Sequence, residues 1–166
     1  MYNLECICFC DIPVEDYEIH MSKYSRFGIS FLKAFLIQNG ANPVFYVANN
    51  SIQHGKCNYD VWNEMISKYH HLVRQCIDEP KDICDQQKVR AFQSFIDFKV
   101  FGYVKPFNDS LPEDDVDNYY MEREWRIVGN LDFKLQDVYR IILPQSYVKQ
   151  FKLDFPDYCG QITFSD

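Results

Sequence analysis

The chain has no apolar run approaching the roughly 20 residues a membrane-spanning helix requires. No basic start leads into an apolar stretch, so no signal peptide is expected. It also lacks a glycine-rich phosphate loop and a G-x-S-x-G elbow, which leaves nucleoside-triphosphate and serine-hydrolase chemistry without support. Lys and Arg number 17 against 24 Asp and Glu, for a formal charge of −7. A sequence-independent grip on nucleic acid needs clustered cations that displace counterions from phosphates, so direct nucleic-acid binding is not expected. An acidic surface instead suits a basic partner. There are no internal repeats and no low-complexity tract. The seven cysteines are odd in number and show no framework spacing. They read as reduced thiols of a cytoplasmic protein. No C-x-x-C or H-x-x-H pair is present, and no metal site is expected. Cys6, Cys8 and Cys10 alternate along one face of a strand, where three small buried hydrophobes are the simpler reading.

What the chain does contain is 47% apolar and 17% aromatic residues in 166 positions. That is enough for one globular domain, residues 1–166, with a proper core. Leu4 to Cys10 reads as a buried strand, broken by Asp11-Ile12-Pro13. Asp11 is placed to cap a helix from Val14 to Tyr24. On that helix His20 shares a face with Asp16, Tyr17 and Tyr24. The simplest reading of His20 is a half-buried histidine bonded to Asp16 or Tyr17. Phe27-Gly28-Ile29-Ser30-Phe31 is a short strand in which Gly28 marks a bulge or a close backbone approach. Lys33 to Gln38 is one or two helical turns ended by Asn39-Gly40. Val44 to Val47 is a strand.

The clearest helix runs from Tyr59 to Ile77, with Trp62, Met65, Ile66, Tyr69, Leu72, Val73 and Cys76 at three- and four-residue steps. Asp78-Glu79-Pro80 ends it. A second helix, Ile83 to Asp97, turns Val89, Phe92, Phe95 and Ile96 inward. Asn108 to Asn118 is an acidic loop, expected to be the least ordered part. Val138 to Leu143 is a buried strand, Gln145 to Leu153 a short helix and Gln161 to Phe164 a last strand. Strands, then helices, then strands again give an α+β fold: a mixed, mostly antiparallel sheet packed by two longer helices.

Tyr119 to Val128 carries the most chemistry. As one strand it would place Tyr119, Met121, Arg123, Trp125 and Ile127 on one face and Glu122, Glu124 and Arg126 on the other. The plain reading is a solvated, alternating-charge face with Arg126 paired to Glu124. The sharper one is a polar site floored by this strand.

Several motifs in order resemble the AbiGi-type abortive-infection proteins of bacterial phage resistance. They are Cys8-Phe9-Cys10-Asp11-Ile12-Pro13, His20, Tyr24 with Phe27-Gly28-Ile29, Lys33, Gly40-Ala41-Asn42-Pro43-Val44 with Tyr46, Lys105-Pro106-Phe107, and Glu122-Arg123-Glu124-Trp125-Arg126. The resemblance runs from about Cys6 to the C-terminus. It implies a phage-defence protein described as an antitoxin, acting by protein–protein binding on a partner such as a cognate toxin, with no cofactor. Family members usually carry a further segment before the Cys8-Phe9-Cys10-Asp11 strand, so the chain reads as a shortened member. If that segment supplied half of a site, the chain would bind without catalysing.

A second reading is an enzyme, or its degenerate form, of ADP-ribosyltransferase type. Glu122-x-Glu124 looks like the paired-glutamate signature of such NAD-dependent enzymes. Glu124 would hold a ribose hydroxyl and stabilise the transition state, and Glu122 would position the acceptor. Arg126 or Lys105 would meet a phosphate, and Tyr24, Tyr46 or His20 would contact the nicotinamide side. The Arg or His that such enzymes carry on their first strand has no counterpart here.

Overall fold

The computed structural model describes residues 5–13, 16–53, 55–78, 83–113 and 115–166. In chain order the strands are β1 (Cys6–Cys10), β2 (Gly28–Phe31), β3 (Asn42–Pro43), β4 (Phe45–Ala48), β5 (Ile52–Gln53), β6 (Lys56–Cys57), β7 (Val104–Phe107), β8 (Glu124–Val128), β9 (Val138–Leu143) and β10 (Gln161–Phe164). The helices are α1 (Tyr17–Lys23), α2 (Lys33–Gln38), α3 (Asn58–Asp78), α4 (Ile83–Lys99) and α5 (Val148–Asp154). The architecture is α+β, with the strands spread over several small antiparallel and mixed sheets. The start of the first predicted helix (Val14, Glu15), the Leu4 end of the first strand and the Glu79-Pro80 stop fall outside the described residues.

The described residues form two compact units, one from residues 6–42 and 122–166, the other from 43–121 with Glu5. In the first, β1 pairs antiparallel with β8, so that Ile7 faces Ile127 and Phe9 faces Trp125. These residues alternate with Cys6, Cys8, Cys10, Glu124 and Arg126, and the two-residue period gives the ribbon an apolar and a polar side. The apolar side closes a core in which Ile127, Leu36 and Ala41 are buried and Phe9, Phe31, Phe35, Trp125 and Leu131 pack around them. A second core forms on β9, where Val138, Ile141 and Leu143 meet Val148, Phe151, Tyr158 and Ile162. β9 lies between antiparallel β2 and parallel β10. Within β9, Val138, Ile141, Ile142 and Leu143 are buried while Tyr139 is exposed. Gly28 is a close approach: a Cβ there would sit 3.4 Å from Ile142 Cδ1.

Two local expectations change. Asp11 does not cap α1; its Oδ2 accepts from Lys33 Nζ at 2.5 Å, and Asp16 holds the N-cap position. The predicted strand Tyr119–Val128 is a 3₁₀ turn over Tyr119–Glu122 followed by β8. Arg123 joins them at φ 44, a left-handed conformation. That single residue breaks the alternation and turns Arg123 out to solvent, off the apolar face where strict alternation placed it.

In the other unit, β4 and β7 pair in parallel, and β5 and β6 form a short antiparallel ladder. α3 and α4 are consecutive helices in contact, joined by the Tyr69 Oη bond to Gln93 O; Val73 is buried, and Trp62, Ile66, Tyr69, Val89 and Ile96 are half-buried. Met65 and Leu72 of α3, and Phe92 and Phe95 of α4, were expected inward but lie exposed. Each helix carries an apolar stripe wider than its neighbour covers. The described residues of the acidic loop make several hydrogen bonds. Asn118 is buried and donates from Nδ2 to Leu111 O and Pro112 O. Asn50 donates to Ser110 Oγ and accepts from Asp109 N.

Candidate functional site

The polar side of the β1–β8 ribbon is the candidate site. The register sets Cys8 opposite Arg126 and Cys10 opposite Glu124. Glu124 is 4% exposed and Glu122 7%. A solvated charge ladder would leave both carboxylates in water, so the burial overturns that reading. Its other half holds, because Arg126 Nε donates to Glu124 Oε1 within the buried pair. Burial opposes the Arg126 charge, yet the bond to Glu124 and its negative charge raise the guanidinium above its ordinary value. Glu122 is held at the ribbon's end. Tyr24 Oη donates to its Oε1 at 2.7 Å, and Lys23 Nζ lies 3.3 Å from the same oxygen. Asp11 N donates to the Glu122 carbonyl at 3.3 Å, tying the end of β1 to the turn before β8.

The thiols belong to this face. None of Cys6, Cys8 and Cys10 is buried, against the expectation of three small core residues. Cys6 Sγ and Cys8 Sγ are 3.8 Å apart, and Cys10 Sγ is 3.6 Å from His20 Nε2. The Cys8 thiol is pushed up from 9.0 to about 12, first by desolvation and then by the Glu124 hydrogen bond and charge. The residue keeps solvent contact, so its surface is open although protein packed nearby dehydrates the sulfur. Desolvation also raises Cys10, with Glu122 and Asp11 adding negative charge. A thiol raised in this way is a poor nucleophile at neutral pH. Among the described residues, no group of three or more His, Cys, Asp or Glu could hold a metal ion.

The structure gathers Glu122, Glu124, Arg126, Tyr24 and His20 in one unit. The His20 ring leans on Tyr24 at 4.6 Å, and its nitrogen meets Cys10 rather than Asp16 or Tyr17. Lys105 belongs to the other unit, on β7, with its Nζ 4.6 Å from the Tyr119 ring centre. Sequence reasoning missed Lys23, Cys8 and Cys10 as members. The Cys-x-Cys-x-Cys alternation had put the thiols on one face, but only strand pairing reveals that the face is shared with Glu124. A separate cleft of about 800 Å³, lined by Leu32, the 134–139 segment, Asp157 and residues 159–161, touches none of the predicted site residues.

A family model described as "Putative abortive phage resistance protein AbiGi, antitoxin" matches residues 3–155. A curated relative, the abortive phage resistance protein AbiGi of Lactococcus lactis subsp. cremoris, is 23% identical over 139 residues, covering 75% of this chain and 51% of the relative. The chain thus spans about half the length of the curated relative it matches. No solved structure matches the chain.

Proposed function

Because the chain belongs to the AbiGi family of abortive phage-resistance proteins, we propose that it is the antitoxin half of a two-component pair and works in the cytoplasm by binding a protein partner, its cognate toxin. The observation that carries this reading is the set of large apolar side chains left exposed on both long helices of the second unit. Met65 and Leu72 on α3 and Phe92 and Phe95 on α4 are each more than half exposed. A set of large apolar side chains left in water at neighbouring helix positions is stabilised by covering it with another protein. No described helix is long and apolar enough to cross a membrane, so a bilayer-spanning helix is no alternative use for these stripes.

Support for the NAD-binding reading comes from Glu122-x-Glu124 alone. Against it stands the burial of both carboxylates, each already engaged by a cation, Glu122 also by a tyrosine. A catalytic glutamate has to offer its oxygens to a ribose, and Glu124 spends one on Arg126.

The test is co-expression with the protein encoded beside this one. Wild type should co-purify with it and relieve its toxicity. Leu72→Ser combined with Phe92→Ser should lose the complex while keeping its circular dichroism and melting profile. Failure of wild type to bind or protect would refute the antitoxin reading. A calorimetric titration with NAD that saturates for wild type and vanishes for Glu124→Gln would put the enzyme reading in its place.

A further inference from the structure

One face of the β4–β7 ribbon carries an aromatic cluster that the candidate site does not use. The parallel register sets Tyr46 beside Lys105 and Ala48 beside Phe107, so these four side chains share a side. Tyr120 stacks on Phe107 at 4.8 Å and 26°, and meets Tyr46 edge-on at 5.1 Å. Tyr120 is nevertheless 56% exposed, so more than half of the residue stays in water. Phe107 and Tyr120 also flank the acidic loop, and their stacking closes its base.

The loop is where the protein's charge is concentrated. Asp109, Glu113, Asp114, Asp115 and Asp117 fall between positions 108 and 118 with no Lys or Arg among them, which leaves only −2 of the −7 for the rest of the chain. Asp109, Glu113 and Asp117 are exposed, as is the apolar Val116. Asn118 bonds the Leu111 and Pro112 carbonyls and Asn50 bonds Asp109 and Ser110, contacts that lower the cost of ordering these described parts of the loop on binding. Beside this shelf, Lys105 Nζ already lies over the Tyr119 ring. A cation on a tyrosine face is therefore a contact this cluster makes within the chain.

We propose that the Tyr120–Phe107 shelf and the acidic loop that joins the two residues form a docking surface for an arginine-bearing segment of the protein partner. A planar guanidinium can lie on the open tyrosine ring and reach the loop carboxylates in bidentate geometry. An ammonium makes only the point-charge contact, so arginine is favoured over lysine. The surface deepens the antitoxin reading and rests on it, because it names the chemistry of the partner segment.

The probes are two nine-residue synthetic peptides of equal charge, one carrying four arginines and one four lysines, titrated by fluorescence anisotropy against the full chain in 0.15 M salt. The arginine peptide should bind at least threefold tighter. Tyr120→Ala should abolish that preference and weaken arginine-peptide binding about fivefold. Neutralising Asp109, Glu113, Asp115 and Asp117 to their amides should weaken both peptides by tenfold or more. Neutralising four exposed carboxylates elsewhere, Glu18, Asp132, Asp154 and Asp157, should change binding less than twofold. Equal losses from the two neutralised sets, or no arginine preference in wild type, would overturn the proposal. Co-purification with the neighbour-encoded protein separates this failure from failure of the antitoxin reading. If the loop variant keeps the complex at wild-type strength, this surface is wrong and the antitoxin reading stands. If wild type forms no complex, the antitoxin reading itself fails.

Discussion

Cys8 tests the polar face of the β1–β8 ribbon most directly. Its thiol value moves from 9.0 to about 12. At pH 8 the thiolate fraction of an ordinary thiol is roughly 10⁻¹ and that of Cys8 roughly 10⁻⁴, a loss of about 10³ in the reactive form. A more basic thiolate is intrinsically more nucleophilic, with a Brønsted slope of about 0.4–0.5, which over three units returns about 15- to 30-fold. The net expectation is alkylation about 30- to 60-fold slower than in the unfolded chain, an upper bound because solvent contact screens part of the effect. The assay is an iodoacetamide time course at pH 8, read peptide by peptide by mass spectrometry, on folded and urea-unfolded protein. Because the sulfur is partly desolvated, slow reaction alone does not separate chemistry from access, and a carboxylate variant does. Glu124→Gln removes the hydrogen bond and charge but leaves the desolvation, so in folded variant protein Cys8 should speed up without reaching the unfolded rate. A wild-type Cys8 that reacts within threefold of the unfolded rate would refute the placement of its thiol against a buried carboxylate.

The same shifts set an alkaline limit. Groups whose folded values are raised contribute stability below their unfolded values and lose it as pH climbs through the folded ones. Denaturation midpoints should therefore fall between pH 9 and pH 12, and Cys8→Ser should flatten that decline. The Glu124–Arg126 pair predicts an asymmetry. Arg126→Met strands a buried carboxylate and should cost about 3 kcal/mol in urea unfolding, whereas Glu124→Leu with Arg126→Met should recover most of it. A double variant as unstable as the single one would rule this out. Tyr24→Phe deletes one hydrogen bond to Glu122 and should cost about 1–2 kcal/mol. Ile127→Ala, at a site 4% exposed, should cost about 3 kcal/mol. Loss of less than 1 kcal/mol there would mean the core does not close on β8.

Where local pattern and tertiary environment agree, the elements follow from the residues. Val138–Leu143 and Gln161–Phe164 form strands as expected, and Lys33–Gln38 a helix, because β-branched and aromatic residues dominate the first two and Asn39-Gly40 stops the third. The 119–128 stretch does not follow, because period-two reasoning assumes that every residue stays extended. Arg123 at φ 44 breaks that assumption, and arginine carries no local signal for a left-handed conformation. The stripes on α3 and α4 illustrate a different gap. Helical spacing shows which residues are apolar together, but the width actually covered depends on how much of each stripe the neighbouring helix reaches.

Residue order alone thus dictates the α+β class, the two long helices, the acidic balance and the face that carries Glu124 and Arg126, since each depends on near-neighbour spacing or on composition. Tertiary contacts decide that both glutamates are buried, that Tyr24 and Lys23 reach across about a hundred positions to Glu122, and that the thiols face carboxylates rather than a core. Burial and long-range pairing arise only when distant segments share one sheet, and no periodicity within a segment encodes which segment its polar side will meet.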